Sequence, residues 1–260
     1  MSYETIITAQ DGPAFVITLN RPQRRNAVSI QMMEEIMSAA HAAEAESSVR
    51  AVIITGSIEC FSAGADLNDA IKVKSAAQGL EYFQRWHRLT GTLENLGKPV
   101  IAAIEGFCFT GGCEMALACD IRVAGEGASF AITSSRIGTV AGAGGTQRLP
   151  RIVGIAKGLE LMFSAEPINA AEAYRIGLIN RLVPSGKALD EAKSMVAVYE
   201  QRAPLSLAFI KRAVHRGMQM DLTSALDFET LLVTTIYGTA DKQEGISAFL
   251  QKRQAHFKGS

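Results

Sequence analysis

Net charge is the first thing this 260-residue chain lacks: 26 acidic residues balance 26 basic ones, for a formal charge of zero. With no global field to gather polyanions, neither nucleic acid nor a membrane surface is expected as a partner. Long apolar runs are missing as well, and none reaches the roughly 18 residues of a membrane-spanning helix. The N-terminal MSYETIITAQ does not have the charged-then-apolar layout of a secretion signal. Cysteine is scarce, with four residues at positions 60, 108, 113 and 119. Their spacings fit no zinc pattern and no histidine stands near, so buried free thiols in a reducing cytoplasm are expected, and no metal site. The single tryptophan, Trp86, is expected to pack in a core. Low-complexity tracts and visible repeats are absent.

What is present is the composition of a soluble globular protein, 48% hydrophobic and 20% charged. The length suits one large domain, or one domain with an appended helical piece. The chain is organised around Val100–Cys119, VIAAIEGFCFTGGCEMALAC. The unbroken apolar run at its start is the pattern of a strand buried on both faces. Gly111-Gly112 then open a second apolar run in which Glu114 is the only charge. Strand, glycine turn and helix start put free backbone N–H groups at a helix mouth, where a negative oxygen is favoured. A lone carboxylate in apolar surroundings beside such donors is a candidate proton carrier.

The flanking segments read as an α/β framework. Tyr3–Thr8 and Ala14–Leu19 around Asp11-Gly12 predict a β-hairpin. Ser29 caps a helix running to about Ser47, Ala51–Thr55 is another buried strand, and a helix follows from Ser75 to about Leu96. Between them, the small-residue loop Phe61-Ser62-Ala63-Gly64-Ala65-Asp66 leaves the C-terminal end of a strand, where α/β sheets bind ligands. Gly142–Gln147 fits neither a dinucleotide fingerprint nor a phosphate loop, which disfavours a nucleotide-dependent enzyme. Asn169 and Glu172 form a helix-capping pair, and breaks at Pro204 and Asp221 divide a helical C-terminus. Lys211, Arg212, His215 and Arg216 share a face there, read as a solvated one.

Together these segments resemble the crotonase superfamily, the enoyl-CoA hydratases and isomerases. The resemblance rests on Leu19-Asn20-Arg21-Pro22 with Asn26-Ala27, on Phe61–Leu67, on Lys98–Gly106 with Gly111–Glu114, on Gly142–Leu149, and on Glu244–Phe249 with Lys252-Arg253. Five motifs in the same order span nearly the whole chain. The resemblance implies an α/β fold, a spiral of ββα units over residues 1–200, followed by a helical region over 201–260 that assists assembly into a homotrimer or homohexamer. It also implies an acyl-CoA thioester as substrate, its carbonyl oxygen held by the backbone N–H groups of Ala65 and Gly111, with Glu114 as the acid/base. For coenzyme A, which is only the carrier of the substrate, it points to Arg24, Ala27, Ala63, Asp66 and Lys252. No further cofactor is implied.

The sequence departs from that pattern at one point. Hydratases that it resembles carry a second glutamate four residues after a phenylalanine equivalent to Phe130; here Ser134 stands there, and no Asp or Glu occurs between Phe130 and Arg151. A serine hydroxyl orients a water or a substrate oxygen but does not replace a carboxylic acid near neutral pH. A 2-enoyl-CoA hydratase using one glutamate is the leading expectation. The alternatives are an isomerase, a decarboxylase or retro-aldol lyase of the same fold, and, in another class, a silent acyl-CoA-binding subunit.

Overall fold

Side chains alternate along Ile6–Asp11 (β1) and Ala14–Leu19 (β2), and the two strands pair antiparallel with Ile6 opposite Leu19. The computed structural model describes residues 3–260. After a short 3-10 turn at Pro22–Arg24, helix α1 (Ile30–Ala45) starts at Ser29, whose hydroxyl accepts the Met32 N–H at 3.2 Å. Every residue of β3 (Ala51–Thr55) is buried, as its continuous apolar run requires.

From here the chain winds in repeating turns. Strand β3 leads to β4 (Cys60–Ser62) and to helices α2 (Leu67–Ala70) and α3 (Ala76–Asn95). Strand β5 (Val100–Ile104) leads to β6 (Phe107–Phe109) and α4 (Gly111–Leu117). Next come β7 (Ile121–Gly125), β8 (Ser129–Ala131), a 3-10 turn at Ser134–Ile137, and helices α5 (Gly145–Val153) and α6 (Ile155–Ser164). The first strand of each turn joins a six-stranded sheet, β1-β2-β3-β5-β7-β10, closed by β10 (Arg181–Val183). The second joins a four-stranded sheet, β4-β6-β8-β9, closed by β9 (Ile168–Asn169) just before α7 (Ala170–Arg175). This is a spiral of ββα turns.

The three-residue strands β4, β6 and β8 are the part that residue order does not announce. Each is too short for a readable alternation and exists through its neighbours: Phe107 pairs with Cys60 on one side and Ser129 on the other. Where a glycine turn alone is expected after Ile104, the structure therefore inserts β6.

Helix α8 (Ala188–Glu200) covers one face of the large sheet with Ala188, Ala192 and Val196, against Val16, Ile53, Ile101 and Val123. The other face carries the larger core, built on α1 and α3 with Met33, Ile36, Trp86 and Leu89. Helices α9 (Pro204–Gly217), α10 (Leu222–Tyr237) and α11 (Ala240–Leu250) complete the chain.

The basic face of α9 is not simply solvated. Lys211 is buried, and its ammonium meets Asp120 Oδ2 at 2.8 Å and the Leu93 carbonyl at 2.9 Å. His215, one turn later, meets Asp120 Oδ1 at 2.9 Å. Only Arg212 and Arg216 of the four remain exposed. A carboxylate 91 residues away in sequence decides which side of the helix is dry; the charge pattern on α9 alone cannot.

Candidate active site

Glu114 lies in the first turn of α4, only 3% exposed. Its Oε1 accepts the N–H of Ala143 and that of Gly145, each at 2.8 Å. Both donors come from the glycine-rich mouth of α5, so the segment that fails as a nucleotide motif serves instead to hold a carboxylate. The approach is close: a Cβ on Gly145 would fall 2.9 Å from Glu114 Cγ. Burial pushes the Glu114 carboxyl above the ordinary carboxylate range, against the pull of the two N–H donors and of the Arg148 guanidinium. Arg148 is itself fixed by a two-pronged pair with Glu94, at 2.6 and 2.7 Å. The result is one glutamate with one oxygen tied down and its proton held more tightly than on an ordinary carboxyl.

Beside it stand two free amides. Among the described residues, neither the Ala65 N–H nor the Gly111 N–H has a hydrogen-bond acceptor. The two segments touch: a Cβ on Gly111 would lie 3.1 Å from the Ala65 nitrogen, and one on Gly64 would lie 3.4 Å from the Gly111 nitrogen. Gly64 has φ +112°, a conformation open to glycine and strained for other residues. Its carbonyl accepts the Val28 N–H and the Asp66 N–H returns to the Val28 carbonyl, which leaves the Ala65 amide between them unused. On the other segment, Thr110 sits at φ 44° and ψ −113°, a costly conformation for a threonine. It is held there by its N–H on the Ala131 carbonyl and by a 2.7 Å hydroxyl contact with Thr133. The strain falls on the peptide that presents the Gly111 N–H. Two preorganised N–H donors side by side can take up the negative charge of an enolate oxygen.

The other sequence-derived candidates are placed as follows. Ser134 is buried at the start of its 3-10 turn, next to Thr133 and hence tied to the Thr110–Gly111 peptide; its hydroxyl has no hydrogen-bond partner among the described residues. Arg24 and Ala63 are exposed neighbours, since the Ala63 N–H donates to the Arg25 carbonyl at 2.9 Å. The Ala27 carbonyl accepts from Arg21 at 2.5 Å, and Arg21 also pairs with Asp66 at 2.8 Å. The Asp66 carboxylate is thus spent on Arg21 and on capping α2 through Asn68, while its N–H goes to the Val28 carbonyl and its own carbonyl accepts from Asp69 and Ala70, so every polar group of this buried residue is engaged within the chain. Lys252 is exposed beyond α11, at φ 54°, and no contact joins it to the Ala65–Gly111–Glu114 cluster within this chain.

Residue order alone did not find the Ala143 and Gly145 amides or the wall that Trp86 makes. The indole is fully buried, and a Cβ on Gly111 would lie 2.7 Å from its Cη2. The glycine-rich run 142–145 was the available signal for the amides. A cavity of about 550 Å³, lined by Glu94, Arg148, Arg151, His215 and Arg216 among others, includes none of Ala65, Gly111, Glu114 or Ser134; Gly144 and Arg148 join it to the mouth of α5.

Comparison with known proteins agrees with this geometry. The family model described as enoyl-CoA hydratase/isomerase matches residues 10–260. A crotonyl-CoA hydratase of Syntrophomonas wolfei is 38% identical over 258 residues, 99% of each chain. A short-chain-enoyl-CoA hydratase of Clostridium acetobutylicum is 37% identical over 255 residues, covering 98% of this chain and 97% of the other. The crystal structure of an enoyl-CoA hydratase from Bacillus anthracis superposes with a TM-score of 0.93 at 33% identity, over 99% of this chain and all of that one. With its spiral of ββα turns, its paired free amides and its buried glutamate, the chain belongs to the enoyl-CoA hydratase/isomerase family.

Proposed function

We propose that the protein hydrates a 2-enoyl-CoA thioester, with Glu114 as the only acid/base. The thioester oxygen sits between the Ala65 and Gly111 N–H groups. Glu114 takes a proton from water as the water oxygen bonds to the β-carbon, and the enolate charge moves onto the oxygen held by the two amides. Glu114 then returns the proton to the α-carbon. Each such N–H donor is worth about a hundred- to a thousandfold in rate. The observation that carries this reading is the buried Glu114 carboxylate, one oxygen tied by two N–H bonds, beside two amides with no acceptor among the described residues. The hydratase names of the relatives described above support the same choice.

In this reading coenzyme A is bound as part of the substrate, by the exposed Ala63 and the loop of Arg24 and Ala27, with Asp66 holding that loop through Arg21 and Lys252 reaching the phosphates from a neighbouring subunit. Only protons move, so no metal or redox group is required. Assembly as a homotrimer or homohexamer is supported by the apolar side chains that the 201–260 region leaves exposed, among them Leu226, Leu231, Phe249 and Leu250. Four free thiols and the absence of any helix long and apolar enough to cross a membrane, among the described residues, fit a place in the reducing cytoplasm.

Ser134 favours a second reading. Without a carboxylate there, the site resembles one for enolate chemistry in general, such as isomerisation, decarboxylation or retro-aldol cleavage. The deciding experiment is incubation with crotonyl-CoA in deuterated water, following enoyl absorbance and α-carbon exchange, with Glu114→Gln alongside. Hydration that vanishes in the variant establishes the first reading. Exchange without hydration establishes the second, and binding with neither marks a silent acyl-CoA binder.

A further inference from the structure

The cavity of about 550 Å³ beside the mouth of α5 lies between three helices. Helix α3 lines it with His87 and Glu94, α5 with Arg148 and Arg151, and α9 with His215 and Arg216. Cavities of about 300–1,000 Å³ are the size that small-molecule ligands occupy. None of Ala65, Gly111 and Glu114 lines this one, so it is not the site of the acyl chemistry.

Its charges do not balance. Glu94 is taken up by Arg148, through Nε at 2.6 Å and Nη2 at 2.7 Å. Arg151 has only neutral partners, the Gln147 carbonyl at 2.8 Å and Gln147 Oε1 at 3.2 Å, and both are met by the same Nη1. Among the described residues, the Arg216 guanidinium and the His87 ring have no partner. His215 turns to Asp120, but the other oxygen of that carboxylate is paired with Lys211, so Asp120 brings no spare negative charge. Two full positive charges, on two different helices, thus stand in one cavity with no carboxylate to meet them. A cleft lined by one sign of charge concentrates the opposite ion. The arginine fork matches the oxygens of a phosphate or a carboxylate two at a time.

We propose that this cavity binds a second ligand besides acyl-CoA, a compact small molecule carrying two or more phosphate or carboxylate groups. Arg151 keeps Nε and Nη2 free and Arg216 keeps all its donors, so each takes one anionic group. Two separate uncompensated guanidiniums call for at least two negative charges. The ligand sits next to the catalytic machinery, because Arg148 also donates to the Ala143 carbonyl at 3.2 Å, and the Ala143 N–H holds Glu114. The site stands apart from the hydratase reading, and its test measures binding alone.

The test is calorimetric titration of the full-length protein at low ionic strength, with inorganic pyrophosphate and, separately, with citrate. Wild type is compared with Arg151→Gln/Arg216→Gln and with Arg24→Gln/Lys252→Gln, which removes the cations assigned to coenzyme A. Arg151 and Arg216 are both exposed, so the melting temperature should hold. The expected result is saturable binding of one anion per chain. Affinity should fall about tenfold or more in Arg151→Gln/Arg216→Gln and stay at the wild-type value in the other pair. The tighter of the two anions tells a phosphate ligand from a carboxylate one. Absence of saturable binding for both anions overturns the proposal, as does full affinity in Arg151→Gln/Arg216→Gln. A fall of equal size in the two pairs overturns it too, since general electrostatics then accounts for the binding.

Discussion

Glu114 and Gly145 are 31 residues apart in the chain, yet the Gly145 N–H donates to Glu114 Oε1 at 2.8 Å. That bond joins the helix carrying the proton to the mouth of α5, whose amides favour the charged form against the effect of burial. It leaves Oε2 as the free oxygen for proton transfer. Replacing Glu114 with Gln keeps an acceptor for both amides and removes only the ionisable group. We expect crotonyl-CoA turnover to fall at least a thousandfold while acyl-CoA still binds, measured by steady-state kinetics and calorimetry.

The same variant should be more stable than wild type at neutral pH. The folded-state carboxyl of Glu114 titrates above its unfolded value because of burial. Its stabilising contribution is therefore full below the unfolded pKa of about 4.3 and is lost as pH rises through the folded one. At pH 7 the buried charge is a cost that Gln does not carry. Melting curves should place Glu114→Gln higher at pH 7, at about 2–4 °C per kcal/mol gained, with the gap closing on acidification. For the wild type, the acid limb of kcat/KM should lie above the ordinary carboxylate range, since Glu114 must be ionised to accept a proton from water.

Gly64 should not tolerate a side chain. At φ +112°, with a Cβ placed 3.2 Å from the Phe109 carbonyl oxygen, alanine would shift the Ala65 amide off its target. Gly64→Ala should lose about a hundred- to a thousandfold in kcat. A circular dichroism spectrum like that of wild type, with turnover preserved, would show that the Ala65 N–H does not hold the thioester oxygen.

Ser134→Ala should be mild. Among the described residues the hydroxyl has no partner to orphan, and the position has no carboxylate to lose. Hydration within about tenfold of wild type is expected, because a weak orienting hydrogen bond contributes about 1 kcal/mol. A loss of several hundredfold would assign Ser134 a direct part in proton transfer.

Lys211 ties the C-terminal helices to the core. Truncation to alanine leaves Asp120, 16% exposed, without its nearest cation, and the Leu93 and Lys98 carbonyls without their donor. Removing one partner of a buried pair costs about 3–5 kcal/mol, and the limited exposure of Asp120 puts the expected value at the lower end. Urea titration should show that loss, with little change in activity per folded molecule.

Much of this protein is legible in residue order. The buried strands Ala51–Thr55 and Val100–Ile104, the caps at Ser29 and Asn169, the helix starting at Ser75, and the breaks at Pro204 and Asp221 all follow from local pattern, because burial on both faces and helix-end satisfaction depend on near neighbours. Glu114 stands out as a lone charge in an apolar run, and the small residues 63–65 and 111–112 as places where the backbone itself must be approached. What residue order could not decide is pairing across distance. Strands of three residues exist only through partners 22–47 positions away, as Phe107 does with Ser129 and Cys60. A backbone N–H looks the same in every residue, so which amides are spent and which stay free depends on the folded hydrogen-bond network. The same holds for Lys211 against Asp120 and for the Tyr82 hydroxyl, unpaired among the described residues: residue order shows which groups can carry charge or a proton, and the folded hydrogen-bond network, which brings distant residues together, settles which of them keep a partner.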